Sequence, residues 1–136
     1  LADRGVKDAI LVSQELNKYN LHIDQVYSSP AKRAFDTALL MVSELGILTE
    51  NIQIEEELYD FIGEQSLRFV RTLPNDQNSI MTFGHNNACT QLAQSLGNYT
   101  DSNIPTATAV IFHFDVSLWS DIQLCDCTSI RPKTLR

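Results

Sequence analysis

Apolar residues recur along the chain at two periods, and their order predicts an α/β domain. Helical spacing predicts helices over 3–19, 30–45, 65–73 and 87–96. Short apolar or alternating runs predict strands over 24–28, 52–55, 79–83 and 109–114, and residues 117–124 are expected to return as an antiparallel edge strand. This alternation favours three α/β/α layers, with helices on both faces of a mostly parallel sheet. The 136 residues contain no repeat or linker, so we expect one domain over 1–136.

The first candidate anion site follows the predicted strand 24–28. Ser29 suits a helix N-cap and Pro30 the first helical position, while Asp3 is the expected cap of the first helix. Arg33 then falls in the first helical turn, where backbone N–H groups and the helix dipole favour an anion. A guanidinium fork matches phosphate geometry. The alternative interpretation is a surface arginine at an ordinary helix start.

A second candidate anion site follows strand 79–83. Gly84 and His85 lead into the helix predicted over 87–96. Taken alone, a histidine in this position after a strand is more often structural. Because ligands bind at the carboxyl ends of strands in parallel sheets, we expect Arg33 and His85 to meet at one rim and share an anion.

The two sites carry motifs of a known family. Residues 28–38 read S-S-P-x-x-R-A-x-x-T-A, and residues 84–86 read G-H-N. With these motifs the chain resembles the histidine phosphatase superfamily, whose fold is phosphoglycerate mutase-like, and in particular its small SixA-like branch of protein phosphohistidine phosphatases. Shorter agreements lie at 3–5, 8–9, 58–59, 104–107, Trp119 and 131–133.

The family's nucleophile is absent from these residues. The resemblance implies a histidine in an R-H-G or R-H-A motif at the end of a first strand, before residue 3, and no Arg-His pair occurs here. Either the chain lacks its natural N-terminus, including a central strand, or it is a truncated relative without a nucleophile. We favour the first alternative. As it stands, the chain is expected to bind oxyanions weakly and to be inactive.

The resemblance implies a hydrolase that passes through a phosphohistidine enzyme intermediate. Arg33 and His85 would be catalytic and bind phosphate, with Asn86 as a further phosphate-binding residue. Glu57 and Asp60 are the nearest candidates for a general acid, although neither matches an acid motif. The substrate would be a phosphorylated protein, with phosphohistidine favoured, or a small phosphorylated molecule. The alternative is a phosphate- or phosphoprotein-binding module without turnover, or a purely structural domain.

The composition of the chain restricts the classes of partner that it is expected to bind. The net charge of −7 disfavours nucleic acid, whose backbone requires a basic patch. No apolar run reaches membrane-spanning length, so no membrane partner is expected. Three cysteines without framework spacing favour a reducing, cytoplasmic location, with Cys89 in the core and 125–127 on one face of a late strand rather than in a metal or redox site. No cofactor or metal is expected. His22 should be exposed, and His113 should lie within a strand.

Overall fold

The computed structural model describes residues 2–97, 99 and 103–136. Its helices are α1 (Asp3–Asn17), α2 (Lys32–Glu44), α3 (Glu64–Arg71), α4 (Asn86–Leu96) and α5 (Pro132–Leu135). Its strands are β1 (Gln25–Ser28), β2 (Ile52–Ile54), β3 (Ile80–Phe83), β4 (Ala109–His113) and β5 (Asp126–Ile130). Single 3₁₀ turns occur at Thr49–Asn51, Glu56–Leu58 and Trp119–Asp121. The predicted α/β class is confirmed.

The described strands form a parallel sheet in the order β2-β1-β3 and a separate antiparallel pair, β4-β5. Ser28 is paired with Ile54 on one side and with Phe83 on the other. Strands β1 and β3 therefore end at the same edge of the sheet. Parallel strands joined through helices produce this arrangement, because each crossover returns the chain to the same starting edge.

Two apolar clusters lie on opposite faces of the strands. One joins α1 and α2 to β5 through Val12, Met41 and Ile130, with Met81 and Phe83 packed against it. The other joins Tyr27 to α3 through Phe69, and Ile80 packs against that cluster. Successive residues of β3 thus face opposite clusters, as strand geometry requires. The expected layers of helices on both faces are present.

Two helix starts differ from the sequence-based prediction. Ala2, not Asp3, is the N-cap of α1, and Asp3 lies in the first turn, where its carboxylate complements the helix dipole. Helix α2 begins at Lys32 with Ala31 as its N-cap, so Pro30 lies before the helix. The hydroxyl of Ser29 accepts a hydrogen bond from the Ala31 N–H at 3.2 Å, which closes a local turn instead of capping the helix.

The predicted end of α2 is confirmed. Gly46 has φ +77°, and its N–H donates to the carbonyl of Ser43. The N–H of Ile47 donates to the carbonyl of Val42. This pair of bonds is the Schellman arrangement, which favours glycine because of the positive φ.

The prediction of an antiparallel strand at 117–124 is wrong. The strand that pairs with β4 is β5, and Trp119 lies in a 3₁₀ turn. Trp119 Nε1 donates to the carbonyl of Gln77 at 2.8 Å, and its backbone N–H donates to Asn75 Oδ1. These hydrogen bonds hold the segment against the loop before β3. Because the bonded residues are more than 40 positions apart in the chain, the local sequence pattern does not predict them.

Candidate functional site

The structure brings the two predicted anion sites together. The N–H of Ser29 donates to the carbonyl of Phe83 at 2.9 Å, which ties the end of β1 to the end of β3. Just beyond these two strand ends, Ser29 Oγ and His85 Nε2 lie 3.0 Å apart in a hydrogen bond. The ring of His85 is therefore positioned directly against the buried Ser29.

Arg33 lies in the first turn of α2 and is exposed. It lines the same cavity as His85, and its positive charge acts on the His85 ring. Within the part of the chain that the structure describes, the Arg33 guanidinium has no hydrogen bond or ion pair, whereas neighbouring Lys32 is bonded to Asp36 at 3.0 Å. An unpaired guanidinium fork at a helix N-terminus is well suited to accept an oxyanion.

His85 is the N-cap of α4 and is half-buried. Its ring contacts Phe61, with 4.5 Å between ring centroids, and Tyr59, at 5.3 Å. Burial lowers the pKa of His85 below its ordinary value of 6.5, and the Arg33 charge lowers it further, while the Asp60 carboxylate opposes them. The free protein thus holds His85 neutral at pH 7, with a nitrogen at Ser29.

Asn86, the third predicted site residue, is the first residue of α4 and is exposed. Its side-chain oxygen accepts a hydrogen bond from Thr90 Oγ1 at 3.2 Å, within the same helix. Asn86 lines the cavity with Arg33 and His85. Its backbone N–H, at the helix N-terminus, is the group best placed to reach an anion.

The first candidate general acid, Asp60, has a structural role in this fold. Asp60 is buried, and its carboxylate accepts hydrogen bonds from the N–H groups of Ile62, Gly63 and Ser66 and from Ser66 Oγ, at 2.9–3.0 Å. Burial raises the pKa of Asp60, but these bonds outweigh it and leave the pKa below its ordinary value of 3.8. Asp60 is an ionised group that holds the start of α3, so it is unsuited to donate a proton.

Glu57 is the other candidate general acid. It is half-buried in the turn Glu56–Leu58, and neither it nor Asp60 lines the cavity that Arg33 and His85 share. The described residues therefore place no carboxylic acid beside Arg33 and His85 in that cavity.

Three residues that contact His85 were not singled out from the sequence as site residues. Ser29 was interpreted as a helix cap, and Tyr59 only as part of a family agreement. The S-S-P motif carries a signal for Ser29, since two small hydroxyl residues at a strand end suit a buried polar corner. Phe61 carries no local signal, because its contact with His85 joins residues that are distant along the chain.

A cavity of about 470 Å³ opens beside this site. It is lined by β3 and β4, by Ala34 and Met41 from one helical layer, and by Leu67 and Leu92 from the other. Among the described strands, β3 is paired only with β1, and β4 only with β5. The cavity thus lies in the layer of the sheet, between two strand edges that face no other described strand.

The remaining candidate groups are possible metal ligands, the cysteines and the other two histidines. No cluster of three or more metal-ligating side chains occurs among the described residues, and none of the helices described is long and apolar enough to cross a membrane. Burial raises the pKa of Cys89 to about 11, which makes it an unreactive thiol. Cys125 and Cys127 are free and half-buried. His22 is exposed, as expected, whereas His113 is the exposed last residue of β4 and not a mid-strand residue.

Comparison with protein families identifies the first half of the chain. The model of the histidine phosphatase superfamily (branch 1) matches residues 1–67, which include the S-S-P segment and Arg33. The match to the histidine phosphatase superfamily thus covers just under half of the chain. No curated protein sequence matches it significantly.

Solved structures extend this relation to the whole fold. One is the protein histidine phosphatase SixA complexed with tungstate, with a TM-score of 0.80 and 18% identity, covering 100% of this chain and 86% of that one. Another is mycobacterial glucosyl-3-phosphoglycerate phosphatase, with a TM-score of 0.54 and 13% identity, covering 96% of this chain and 86% of that one. At these identities the likeness concerns the fold, which this chain shares with both phosphatases.

Proposed function

We propose that this protein is a histidine-type phosphatase of the SixA-like branch, acting on a phosphorylated substrate, with protein phosphohistidine favoured. The observation that carries the proposal is the meeting of Arg33 and His85 at one rim, with an unpaired guanidinium and a helix N-terminus facing the same space. The family model and the two phosphatase structures support a phosphorylated substrate.

Arg33, His85 and the N-terminus of α4 would bind the three non-bridging oxygens of the phosphoryl group. Charge on these oxygens is what a phosphoryl-transfer site must stabilise, and fixed donors do so without reorganising. The hydrogen bond to Ser29 holds the His85 ring in place before substrate arrives. Asn86 would add its backbone N–H.

The nucleophile, on this proposal, is a histidine on a strand that precedes the described residues and fills the cavity between β3 and β4. An apolar cavity in the sheet layer, flanked by two strand edges, suits an extended segment whose carboxyl end would emerge beside Arg33 and His85. The domain over 1–136 would then be a histidine phosphatase domain completed by that strand.

The reaction has two balanced steps. The histidine nitrogen attacks phosphorus and forms a P–N bond, while the bond from phosphorus to the leaving group breaks and the leaving group gains a proton from solvent. Water then attacks the phosphohistidine, releasing inorganic phosphate and the free histidine. Because no described carboxylic acid lines the cavity with Arg33 and His85, a leaving group such as imidazole, which departs more readily than an alkoxide, is favoured.

The second candidate function is a phosphate- or phosphoprotein-binding module without turnover, located, like the enzyme, in the cytoplasm. It is favoured by one observation, the lack of an Arg-His pair in the sequence. It uses the same Arg33 and His85 contacts, so it shares the binding site and differs only in chemistry.

The test compares the 136-residue chain with the product of the same gene extended upstream. Both are assayed for hydrolysis of phosphoramidate and of a phosphohistidine peptide, and for tungstate binding by calorimetry. We expect both forms to bind tungstate, and only the extended form to hydrolyse and to show a higher midpoint of thermal unfolding. Tungstate binding without hydrolysis by either form would establish the binding module instead. Full activity of the 136-residue chain would overturn the assignment of the nucleophile.

A further inference from the structure

Beside the His85 ring lies a pair of aromatic side chains that the proposed phosphate site does not use. Tyr59 and Phe61 are 54% and 51% exposed, although both rings contact His85. Their centroids lie 5.3 Å apart at an interplanar angle of 71°. Half of each ring is thus open to solvent next to the residue proposed to bind phosphate.

The segment that carries these rings is firmly held. The buried Asp60 carboxylate accepts three backbone N–H bonds from residues 62–66, and Asn87 Nδ2 donates to the carbonyl of Phe61. Gly63 has φ +106°, and a Cβ there would lie 3.3 Å from the carbonyl oxygen of Ala88. Fixing an exposed apolar pair so closely costs conformational entropy and leaves apolar surface in water. A surface of this kind beside a binding site is typical of ligand contact.

We propose that Tyr59 and Phe61 are specificity-determining residues of this site, and that they favour phosphoryl groups carried by a flat aromatic or imidazole group over those carried by alcohols. The inference rests on the proposed phosphate site at Arg33 and His85. A group attached to a phosphorus atom bound there would extend past the His85 ring, and a flat ring can pack against the exposed aromatic faces. A sugar or glycerol chain would instead desolvate its hydroxyls against apolar carbon.

The test uses phosphonates, which keep the phosphorus anion and cannot be hydrolysed. Binding of phenylphosphonate and methylphosphonate to the protein is measured by calorimetry for the wild type and for Phe61→Leu, Phe61→Ala and Tyr59→Leu. Because a ring–ring contact contributes roughly 0.5–1.5 kcal/mol, we expect the wild type to prefer the phenyl compound about 2–10-fold. The three variants should lose most of this preference and bind methylphosphonate as the wild type does.

Two controls separate the possible failures. Leu124→Ala removes an apolar side chain that is 79% exposed and should change neither affinity. Arg33→Ala should weaken both phosphonates by the same factor, and if it weakens neither, the proposed phosphate site itself is wrong. A normal effect of Arg33→Ala with no phenyl preference in the wild type would overturn the role of the aromatic pair alone. Equal weakening of both ligands by Phe61→Ala would also overturn it, since Phe61 would then serve only to support His85.

Discussion

Strands β1 and β3 lie side by side and end at the same rim, yet they are built differently. Strand β1 has a partner on each side, and three of its four residues are buried. Strand β3 is paired on one side within the described residues, and none of its four residues is fully buried. The Arg33 side of the site therefore follows a strand that is buried and paired on both sides. The His85 side depends on a contact between the two strand ends, the hydrogen bond to Ser29.

The same contrast separates the two helix starts that follow these strands. After β1, Ser28 and Ser29 are fully buried and each takes part in a hydrogen bond. Arg33 follows this turn and is exposed to solvent. After β3, the chain passes directly from Gly84 through His85 into α4. Each corner carries one residue that we propose to bind an anion, and the first corner is held by hydrogen bonds among its own residues. Mutations on the two sides should accordingly have different consequences.

Arg33→Ala should produce the largest effect, because Arg33 supplies charge to the site and little to the fold. In the active, extended form we expect a loss of about 10²-fold or more in turnover with near-normal stability. Arg33→Lys should fail as well, since an ammonium lacks the bidentate fork. Steady-state kinetics on phosphoramidate measure this.

Lys32→Ala is the matched control for that variant. It removes the same charge one residue earlier, where the lysine is already paired with Asp36. Near-normal turnover in Arg33→Ala, or an equal loss of turnover in Lys32→Ala, would contradict the proposed role of Arg33 in binding phosphate.

Val26 and Met81 are paired across β1 and β3 and test the comparison of the strands directly. Val26 is 1% exposed, whereas Met81 lines the cavity. Val26→Ala should lower the free energy of unfolding by about 2 kcal/mol, and Met81→Ala by about 1 kcal/mol or less, although methionine is the larger side chain. Urea denaturation measures both. A greater loss for Met81→Ala would mean that β3 is as well supported as β1.

Ser29→Ala probes the contact that joins the two corners. It removes the hydrogen bonds of Ser29 Oγ to His85 and to the Ala31 N–H, so we expect a loss of about 1 kcal/mol in stability and a more mobile His85 ring. Urea denaturation and NMR of the His85 ring report the two effects. Ser43→Ala, which removes an exposed hydroxyl bond within α2, is the control and should be nearly neutral. Unchanged ring signals in Ser29→Ala would show that the corners are held together by other contacts.

The smallest effect concerns pH. Because burial and Arg33 lower the pKa of His85 below 6.5, the unfolded chain binds a proton more readily than the folded protein does. This contribution to stability is present above pH 6.5 and is lost as pH falls through the folded pKa. NMR titration should give a His85 pKa below 6.5 that rises in Arg33→Ala and not in Lys32→Ala. A His85 pKa above 6.5 would contradict the neutral ring.

A second loss of stability should follow at lower pH. The pKa values of Asp8, Asp24 and Asp60 all lie below the ordinary 3.8, for Asp8 chiefly through its bonds to Arg136. Their contributions are complete above about pH 4 and disappear as pH falls through the folded values.

The sequence by itself determined most of the helices and strands of this protein and the two motifs that follow β1 and β3. Helical and strand periodicity, Gly46 at the end of α2 and the spacing of the S-S-P-x-x-R motif are local properties, and local sterics and hydrogen bonding act on them directly. The meeting of the corners also followed, because parallel strands end at one rim. The placement of the edge strand did not follow, since segment 117–124 has strand-like residues but is held by Trp119 bonds to distant loops.

Only the tertiary structure decided what surrounds the site. Whether Asp60 donates a proton or caps a loop depends on four hydrogen bonds that form when residues 60–66 fold together. The packing of Phe61 on His85 and the hydrogen bond from Ser29 to the same ring join residues far apart in the chain. The cavity between β3 and β4 is likewise a property of how two groups of strands are spaced. Such features arise from burial and long-range packing, which a one-dimensional pattern does not encode residue by residue.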